Sequence, residues 1–312
     1  MAAEYIHHTV LLQEAVQALN IKSDGIYIDG TYGRGGHSAL ILSKLNENGR
    51  LLVIDKDPLA IAHAQALAER DPRVFVWHGA FSEFPQALAE LNLPAQVDGL
   101  LLDLGVSSPQ LDEAERGFSF MRDGALDMRM DTSSGLSAAQ WLAVAPEKEI
   151  ADVLWQYGEE RFSRQIARKI IDVRQVQTLD TTLKLASLIE TVIKKREPGK
   201  HPATRSFQAI RIKINQELEH VEQALASVVA HLAPQGRLVV ISFHSLEDRL
   251  VKHFIRSFTE QPKLPKGLPI MPSQMQPPLR ALGKALRPSD EEVAQNVRAR
   301  SAIMRVAERV AI

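Results

Sequence analysis

Two segments of the chain carry residue types that can hold a nucleoside. The first is the glycine-rich turn of residues 28–37, Ile-Asp-Gly-Thr-Tyr-Gly-Arg-Gly-Gly-His; the second is the strand-like segment 50–55, which ends at Asp55, eighteen residues after His37. Glycines let a ligand approach the main chain, and an acid at the end of the next strand can accept hydrogen bonds from both ribose hydroxyls. The pair favours a cofactor site, although a glycine-rich turn alone can also be only a tight connection.

Asp29, directly before this turn, narrows the choice of cofactor. The N-terminus of a helix can hold a pyrophosphate, and an acid beside it would repel that anion. A cofactor without phosphates and with a positive centre tolerates the acid, and S-adenosylmethionine carries a sulfonium and an amino group. We therefore favour a methyl donor over a nicotinamide dinucleotide, and a dinucleotide-dependent oxidoreductase remains the first alternative.

A second polar segment, residues 103–109 (Asp-Leu-Gly-Val-Ser-Ser-Pro), follows the strand-like run 97–102. Methyltransferases that act on amino groups place here a polar residue, two prolines and an aromatic ring, because hydrogen-bond acceptors must orient a weakly nucleophilic amine. This chain has one proline and no aromatic there, so Phe118 or Phe120 is a candidate stacking ring. Asp103 is the candidate catalytic residue; the alternatives are that it caps a turn or contacts the cofactor amine.

Strands and helices alternate over the first hundred residues. Their patterns predict strands at 25–29, 50–55, 73–78 and 97–104 and helices at 10–19, 37–45, 58–69 and 83–91. Such alternation builds a parallel sheet that helices cover on both faces. Because ligands bind at the carboxyl ends of such strands, Asp29, Asp55, the segment from Gly79 to Phe81 and Asp103 are expected to line one crevice.

The alternation ends near Gln110. Helical patterns without a convincing strand follow over 111–204, and a long helix is expected from 204 to 232. A strand at 236–242, a long loop at 258–290 and a last strand at 301–308 complete the chain. We expect a discontinuous α/β domain, residues 1–110 and 205–312, with an inserted all-helical domain, residues 111–204.

Composition excludes several kinds of protein. The 312 residues include no cysteine, so disulfides, thiolate metal sites and cysteine nucleophiles are absent. No apolar run could span a bilayer and no signal peptide is evident, so a cytoplasmic location is expected. The net charge is only −1, but residues 161–213 carry 13 Lys or Arg and four acids. That segment is either a surface for a polyanion or a solvated helix face.

Three histidines could also take part in chemistry. His244 follows the strand expected at 236–242 and could act as a base or a phosphate contact, although a hydrogen-bonding role at the strand end is simpler. His7 and His8 could touch nucleic acid or cap the first helix. The sequence shows no metal-ligand spacing, so no metal site is expected.

Eight motifs along the chain resemble, in order, those of the RsmH (MraW) family of bacterial methyltransferases, which act on N4 of a cytidine in small-subunit ribosomal RNA. The resemblance covers residues 7 to 309, and its motifs are His8-Thr-Val-Leu-Leu, 29–37, 103–111, Arg116-Gly-Phe-Ser-Phe, Leu126-Asp-Met-Arg-Met, His201-Pro-Ala-Thr-Arg, Phe207-Gln-Ala-Ile-Arg and 242–248.

The resemblance implies a Rossmann-like methyltransferase domain with a helical insertion, S-adenosylmethionine as cofactor and methylation of cytidine N4 in 16S ribosomal RNA. The residues that it implies as cofactor contacts are Gly35, Gly36, His37, Asp55, Phe81, Asp103 and Gln110. It also implies ribosomal RNA or an assembled small subunit as the partner, with no membrane. A non-catalytic RNA-binding factor that keeps the pocket as a structural element is the second alternative.

Overall fold

The computed structural model of the protein describes residues 9–194, 199, 201–260 and 276–311. His7 and His8 lie outside these residues. The chain forms two compact units, one of residues 1–105 with 218–312 and one of residues 106–217. None of the helices described is both long enough and apolar enough to cross a bilayer.

The first unit is built on a seven-stranded sheet in the order β3-β2-β1-β4-β5-β7-β6. The strands are β1 Ile26–Asp29, β2 Arg50–Asp55, β3 Val74–His78, β4 Val97–Asp103, β5 Leu232–Ser242, β6 Leu279–Ala281 and β7 Ile303–Arg309. Strands β1 to β5 pair in parallel, and β7 runs antiparallel to both β5 and β6. The predicted α/β, Rossmann-like class is confirmed, with one reversed strand.

Helices cover both faces of this sheet. They are α1 Leu12–Leu19, α2 Gly36–Leu42, α3 Pro58–Ala68, α4 Phe84–Glu90, α11 Glu217–His231, α12 Ser245–Thr259 and α13 Asp290–Gln295. Alternate strand residues point to opposite faces: Leu51 and Val53 pack with α1 to α3, whereas Leu52 and Ile54 pack with α4, α11 and α12. The continuous apolar runs of the sequence thus reflect strands that are buried on both sides.

The second unit is helical. Its helices are α5 Ser108–Asp112, α6 Ala138–Val144, α7 Glu147–Gly158, α8 Ser163–Arg174, α9 Thr182–Val192 and α10 Thr204–Asn215. They enclose an apolar core of their own, to which α7, α8 and α9 contribute Leu154, Ile166 and Ile189, all fully buried. Of the described residues, only Ala125 and Thr181 form a β-bridge in this unit. The unit is longer than the 111–204 expected from sequence, because α10 packs against α7.

Two expected elements differ from those observed. The single helix expected over 204–232 is two helices, because Gln216 has a left-handed backbone (φ 52°) and its N–H caps α10. The region 258–290, expected to be a loop, contains the end of α12 and strand β6, while residues 261–275 lie outside the described part. Neither difference had a sequence signal, since no Gly or Pro marks residue 216 and β6 has only three residues.

Candidate active site at the carboxyl ends of the strands

Three acids end three neighbouring strands. Asp29, Asp55 and Asp103 are the last residues of β1, β2 and β4. The strand order reverses between β1 and β4, which is where an open α/β sheet leaves a crevice for a ligand. The electrostatic influence of Asp29 reaches both other acids. The structure therefore brings the three predicted residues together.

The glycine-rich turn is fastened by Asp55. Its Oδ2 accepts a hydrogen bond from the Gly33 amide at 2.7 Å, and its Oδ1 accepts one from the Asp57 amide at 2.8 Å. A carboxylate has about four acceptor positions, so two remain for the hydroxyls of a ribose. Burial raises the pKa of Asp55 to about 6. Asp55 can therefore still bind a ribose, as the sequence predicts, while it also holds the glycine-rich turn, which the sequence did not indicate.

The turn leads into α2 with little free space. Gly35 has φ 76°, a left-handed conformation that L side chains rarely adopt, and it directly precedes α2. A Cβ on Gly36 would lie 1.9 Å from Thr9 Oγ1, so no larger residue fits there. His37, the second residue of α2, is buried. These three residues, which the family resemblance implies as cofactor contacts, form one tight backbone segment.

Asp29 is fully buried and holds the start of α2. Its Oδ2 accepts a hydrogen bond from the Ser38 hydroxyl at 2.6 Å, and its Oδ1 accepts a longer one, 3.3 Å, from the Thr31 amide. Burial raises the pKa of Asp29, and the two bonds oppose that shift. Asp29, whose charge would repel a pyrophosphate, is therefore buried inside the glycine-rich turn.

Asp103 has an unused acceptor. Its backbone N–H donates to Thr31 Oγ1 at 2.7 Å, its Oδ2 lies 3.8 Å from His37 Nδ1, and its buried Oδ1 has no hydrogen-bond partner among the described residues. Burial first, and then the negative charges of Asp29 and Glu247, raise the pKa of this carboxyl well above its usual range. A buried acceptor without a partner is costly and uncommon. A ligand that donates a hydrogen bond or carries positive charge would satisfy it.

Phe81 lies at the edge of the same region. It begins a short 3-10 helix, Phe81–Glu83, after β3. A Cβ built on Gly30 would lie 3.0 Å from the Cβ of Phe81, so the two residues are close neighbours. The His220 ring, on α11, and the Phe81 ring meet in an edge-to-face arrangement with 6.1 Å between centroids. His220 Nδ1 is also 2.9 Å from the Ser82 hydroxyl. Nothing in the sequence pairs His220 with this segment, because 138 residues separate it from Ser82.

Glu247 was also missed from sequence. It is buried on α12, and its Oε2 accepts hydrogen bonds from the amides of Phe243, at 2.8 Å, and His244, at 3.2 Å. His244 is the N-cap of α12, and its Nδ1 accepts a bond from the Glu247 amide. The simpler interpretation of His244 as a hydrogen-bonding residue therefore describes what is observed. The spacing of three between a cap and a Glu, typical of a capping box, could have identified Glu247.

Three candidates belong to the helical unit. Gln110 is buried, and its Oε1 accepts a bond from the Ser107 amide, 2.9 Å, in the capping box of α5. Phe118 is buried, and Phe120 packs in this unit against His201 and against Phe207, at centroid distances of 4.5 and 4.7 Å. Contact of Gln110 with a cofactor, and stacking of either ring on a base, stay predictions.

The chemical character of the crevice fits S-adenosylmethionine. Three acids end adjacent strands here, and the buried Oδ1 of Asp103 lacks a hydrogen-bond partner among the described residues, so the crevice suits a ligand that donates hydrogen bonds or carries positive charge better than a pyrophosphate. Asp55 offers acceptors for a ribose, and Phe81 offers an apolar ring. Together with the Rossmann-like sheet, these features define the class of an S-adenosylmethionine-dependent methyltransferase.

Comparison with known families agrees with this class and makes it specific. Residues 4–310 match the sequence model of the MraW methylase family, which is nearly the whole chain. The chain belongs to that family, and S-adenosylmethionine is its cofactor. An oxidoreductase that uses a dinucleotide is thereby excluded.

Solved structures give weaker likeness. An rRNA methylase from Streptococcus thermophilus is 8% identical, with 97% of this chain and 98% of that chain covered and a TM-score of 0.43. A protein from Clostridium thermocellum, provisionally described as an rRNA methylase, is 12% identical, with 97% and 98% covered and a TM-score of 0.46. At these TM-scores the likeness carries no argument about function.

Proposed function

We propose that this chain transfers a methyl group from S-adenosylmethionine to N4 of a cytidine in small-subunit (16S) ribosomal RNA, in the cytoplasm. Membership of the MraW methylase family supports the reaction class. The base and the atom rest on the resemblance to the RsmH (MraW) family, and the chemistry of Asp103 is compatible with an amine as the target. The cofactor, when bound, supplies an electrophilic methyl group. The chain must orient the target amine and accept a hydrogen bond from its N–H group.

The observation that carries the proposal is the free acceptor of Asp103. The N4 amine of cytosine is a poor nucleophile, because its lone pair is delocalised into the ring. An acceptor on its N–H bond favours the pyramidal form and aligns the nitrogen for attack, which is chiefly an effect of orientation. The buried Oδ1 of Asp103, at the carboxyl end of β4 and without a partner among the described residues, can do this.

The lack of cysteine supports nitrogen over carbon as the methylated atom. Methylation of carbon 5 of cytosine proceeds through a covalent adduct, for which a cysteine is the usual nucleophile. This chain has no cysteine at all. Attack by an exocyclic amine requires no such adduct, so the residues present suffice.

The RNA would be bound partly by exposed cations of the helical unit. Several of the 13 basic residues in 161–213 are used internally: Arg174 donates to the carbonyls of Leu142 and Ala145, and Arg211 forms a two-bond pair with Glu217. Others are exposed; those on or next to α8 are Arg161, Arg164, Arg168 and Lys169. Lys194 is exposed too, while its neighbours Lys195 and Arg196 lie outside the described residues.

The test is methyl transfer from labelled S-adenosylmethionine to small ribosomal subunits from cells that lack this enzyme. We expect Asp103→Ala to lower kcat by about 10² to 10³, since removal of one oriented polar group in an active site has effects of that size. Asp24→Ala, which changes an exposed acid in the same unit, is the control and should leave kcat unchanged. Calorimetric Kd values for the cofactor separate the two roles of Asp103.

A lower kcat with an unchanged cofactor Kd would place Asp103 on the target amine. A weaker cofactor Kd with an equal loss in kcat/KM would instead support the contact with the cofactor amine that the sequence left open. Undiminished transfer by Asp103→Ala would remove Asp103 from the reaction centre. A chain that binds both cofactor and subunits but never transfers a methyl group would favour the non-catalytic RNA-binding factor.

A further inference from the structure

A groove lies on the first unit beyond β7, away from the three acids. It has a volume of about 250 Å³ and is lined by residues of α12, of β7 and of the segment 281–285, which comprises the last residue of β6 and the four residues after it. Among its lining residues are Lys252, Arg256 and Thr259 of α12, Lys284 and Ala285 of the segment, and Arg305 of β7. This volume is below the 300 to 1,000 Å³ that is usual for small-molecule pockets. The charged residues that line it are four cations, Lys252, Arg256, Lys284 and Arg305, and one acid, Glu260.

The groove is basic, and its cations differ in how they are held. Arg305 is fixed by Asp248 through two hydrogen bonds of 2.6 and 3.0 Å, so it is structural. Among the described residues, Arg256 pairs with Glu260 one helical turn away, and both side chains are more than half exposed. Exposed pairs of this kind contribute little to stability, so a phosphate can displace the glutamate at little cost.

Lys252 of α12 and Lys284 of the segment after β6 both line the groove. Both are exposed, and within the part of the chain that the structure describes neither forms an ion pair. Gly283, beside Lys284, has φ 72°, and nothing lies within 4 Å of where its Cβ would be. The wall is therefore open at Gly283, so that a ligand backbone can approach the chain there.

The register of the sheet relates the groove to Asp103. Asp103 of β4 pairs with Ile241 of β5, Ile241 pairs with Met304 of β7, and Met304 forms a bridge with Leu286. These four residues form one row; Lys284 lies two residues before Leu286, at its far end, and Arg305 is next to Met304. Three strand spacings of about 4.8 Å separate the two ends by roughly 14 Å. That is the length of about four stacked nucleotides at about 3.4 Å each.

We propose that this groove binds the sugar–phosphate backbone of the RNA strand a few nucleotides from the methylated base. The inference rests on the proposed function and extends it, since it names a second RNA contact in the methyltransferase unit itself. Its basis is a cation-lined groove close to the end of the row of residues that leads to Asp103, with two exposed lysines that form no ion pair among the described residues. The contact is to phosphates, so it positions the RNA and does not read its sequence.

The test compares a double variant, Lys252→Gln/Lys284→Gln, with the unaltered chain. Binding of a fluorescein-labelled 16-nucleotide single-stranded RNA of mixed sequence, and of small ribosomal subunits, is measured between 50 and 400 mM KCl. Loss of two phosphate contacts should flatten the slope of log K against log salt by about 1.4, which is about 25-fold in affinity at 0.1 M salt. Cofactor affinity by calorimetry should not change, which shows that the variant is folded.

A matched control removes two exposed cations at the other side of the sheet. Lys44→Gln/Arg70→Gln makes the same change in net charge, after α2 and after α3, and should keep the full salt slope. Equal slopes for the two double variants would overturn the proposal, because only the total charge would then matter. So would failure of the unaltered chain to bind either RNA or subunits.

Crosslinking identifies the occupant directly. Subunits that contain 4-thiouridine, irradiated with the protein, should yield RNA-linked peptides from residues 245–260 and 279–287. Links from these peptides to a ribosomal protein instead would overturn the RNA assignment. Failure of the proposed function gives a different pattern, in which the groove variants lose RNA binding but even the unaltered chain transfers no methyl group.

Discussion

Asp55→Asn should separate stability from cofactor binding. Burial raises the pKa of Asp55 to about 6 from a usual value of 3.8, so between these pH values the folded chain binds more protons than the unfolded chain. The contribution of Asp55 to the free energy of unfolding is therefore most favourable below pH 4 and becomes less favourable as the pH rises to about 6. The loss is about 3 kcal/mol, from 1.36 kcal/mol per pKa unit. The asparagine variant does not have this cost above pH 6.

The substitution also removes one acceptor. Asparagine has a single acceptor oxygen, so either the Gly33 or the Asp57 amide loses its partner, at a cost of about 1 to 3 kcal/mol. The two effects oppose each other, and we expect the free energy of unfolding at pH 7.5 to be unchanged or up to about 2 kcal/mol higher. Cofactor affinity should fall by about 3 kcal/mol or more, roughly 150-fold, because two ribose hydroxyls lose a charged acceptor.

Urea denaturation at pH 5 and pH 7.5 measures the first quantity, and calorimetry with S-adenosylmethionine measures the second. Asp57→Asn is the control, because Asp57 caps α3 through the Leu59 amide and asparagine caps helices equally well. If Asp55→Asn binds the cofactor as tightly as the unaltered chain, Asp55 does not hold the ribose. If instead it loses several kcal/mol of stability at pH 7.5, its role is to hold the turn.

Three further predictions concern the same two units. Cofactor Kd of the unaltered chain should rise about tenfold per pH unit below pH 6, as Asp55 becomes protonated, and a flat calorimetric profile would contradict this. Gly35→Ala should lower the free energy of unfolding by about 1 to 2 kcal/mol and weaken cofactor binding, because φ is 76° and the new Cβ would lie 2.8 Å from Tyr32 Oη. Asn215→Ala should cost about 3 kcal/mol in denaturation, since its buried amide bonds the main chain of Met128 and Met130; a loss below 1 kcal/mol would contradict that.

Local signals predicted the elements that form the crevice. Strand β2 begins and ends where the apolar run 50–55 does, and Asp57-Pro58 starts α3 as expected, with Asp57 as the N-cap and Pro58 in the first turn. These features depend on neighbouring residues, which sequence shows directly. The placement of Asp29 and Asp103 together followed from a general rule about parallel sheets.

Long-range neighbours were beyond the sequence. Glu247 acts on Asp103 across 144 positions, and His220 reaches Ser82 across 138, because β5 and α11 return to the sheet after the helical unit. The second role of Asp55, which is to hold the glycine-rich turn, was hidden for a similar reason. An acid at a strand end is expected to bind a ligand, and the sequence does not show that both of its oxygens already accept main-chain hydrogen bonds. The same holds for the basic groove, whose two walls come from α12 and from the segment after β6.

The most direct test of the account is the identity of the methylated nucleoside. Small subunits from cells lacking this protein are incubated with the pure chain and S-adenosylmethionine, and the RNA is digested to nucleosides for mass spectrometry. The account predicts one new product, N4-methylcytidine, absent when Asp103→Ala replaces the unaltered chain. Appearance of 5-methylcytidine, of a methylated purine, or of no methylated nucleoside at all would contradict it.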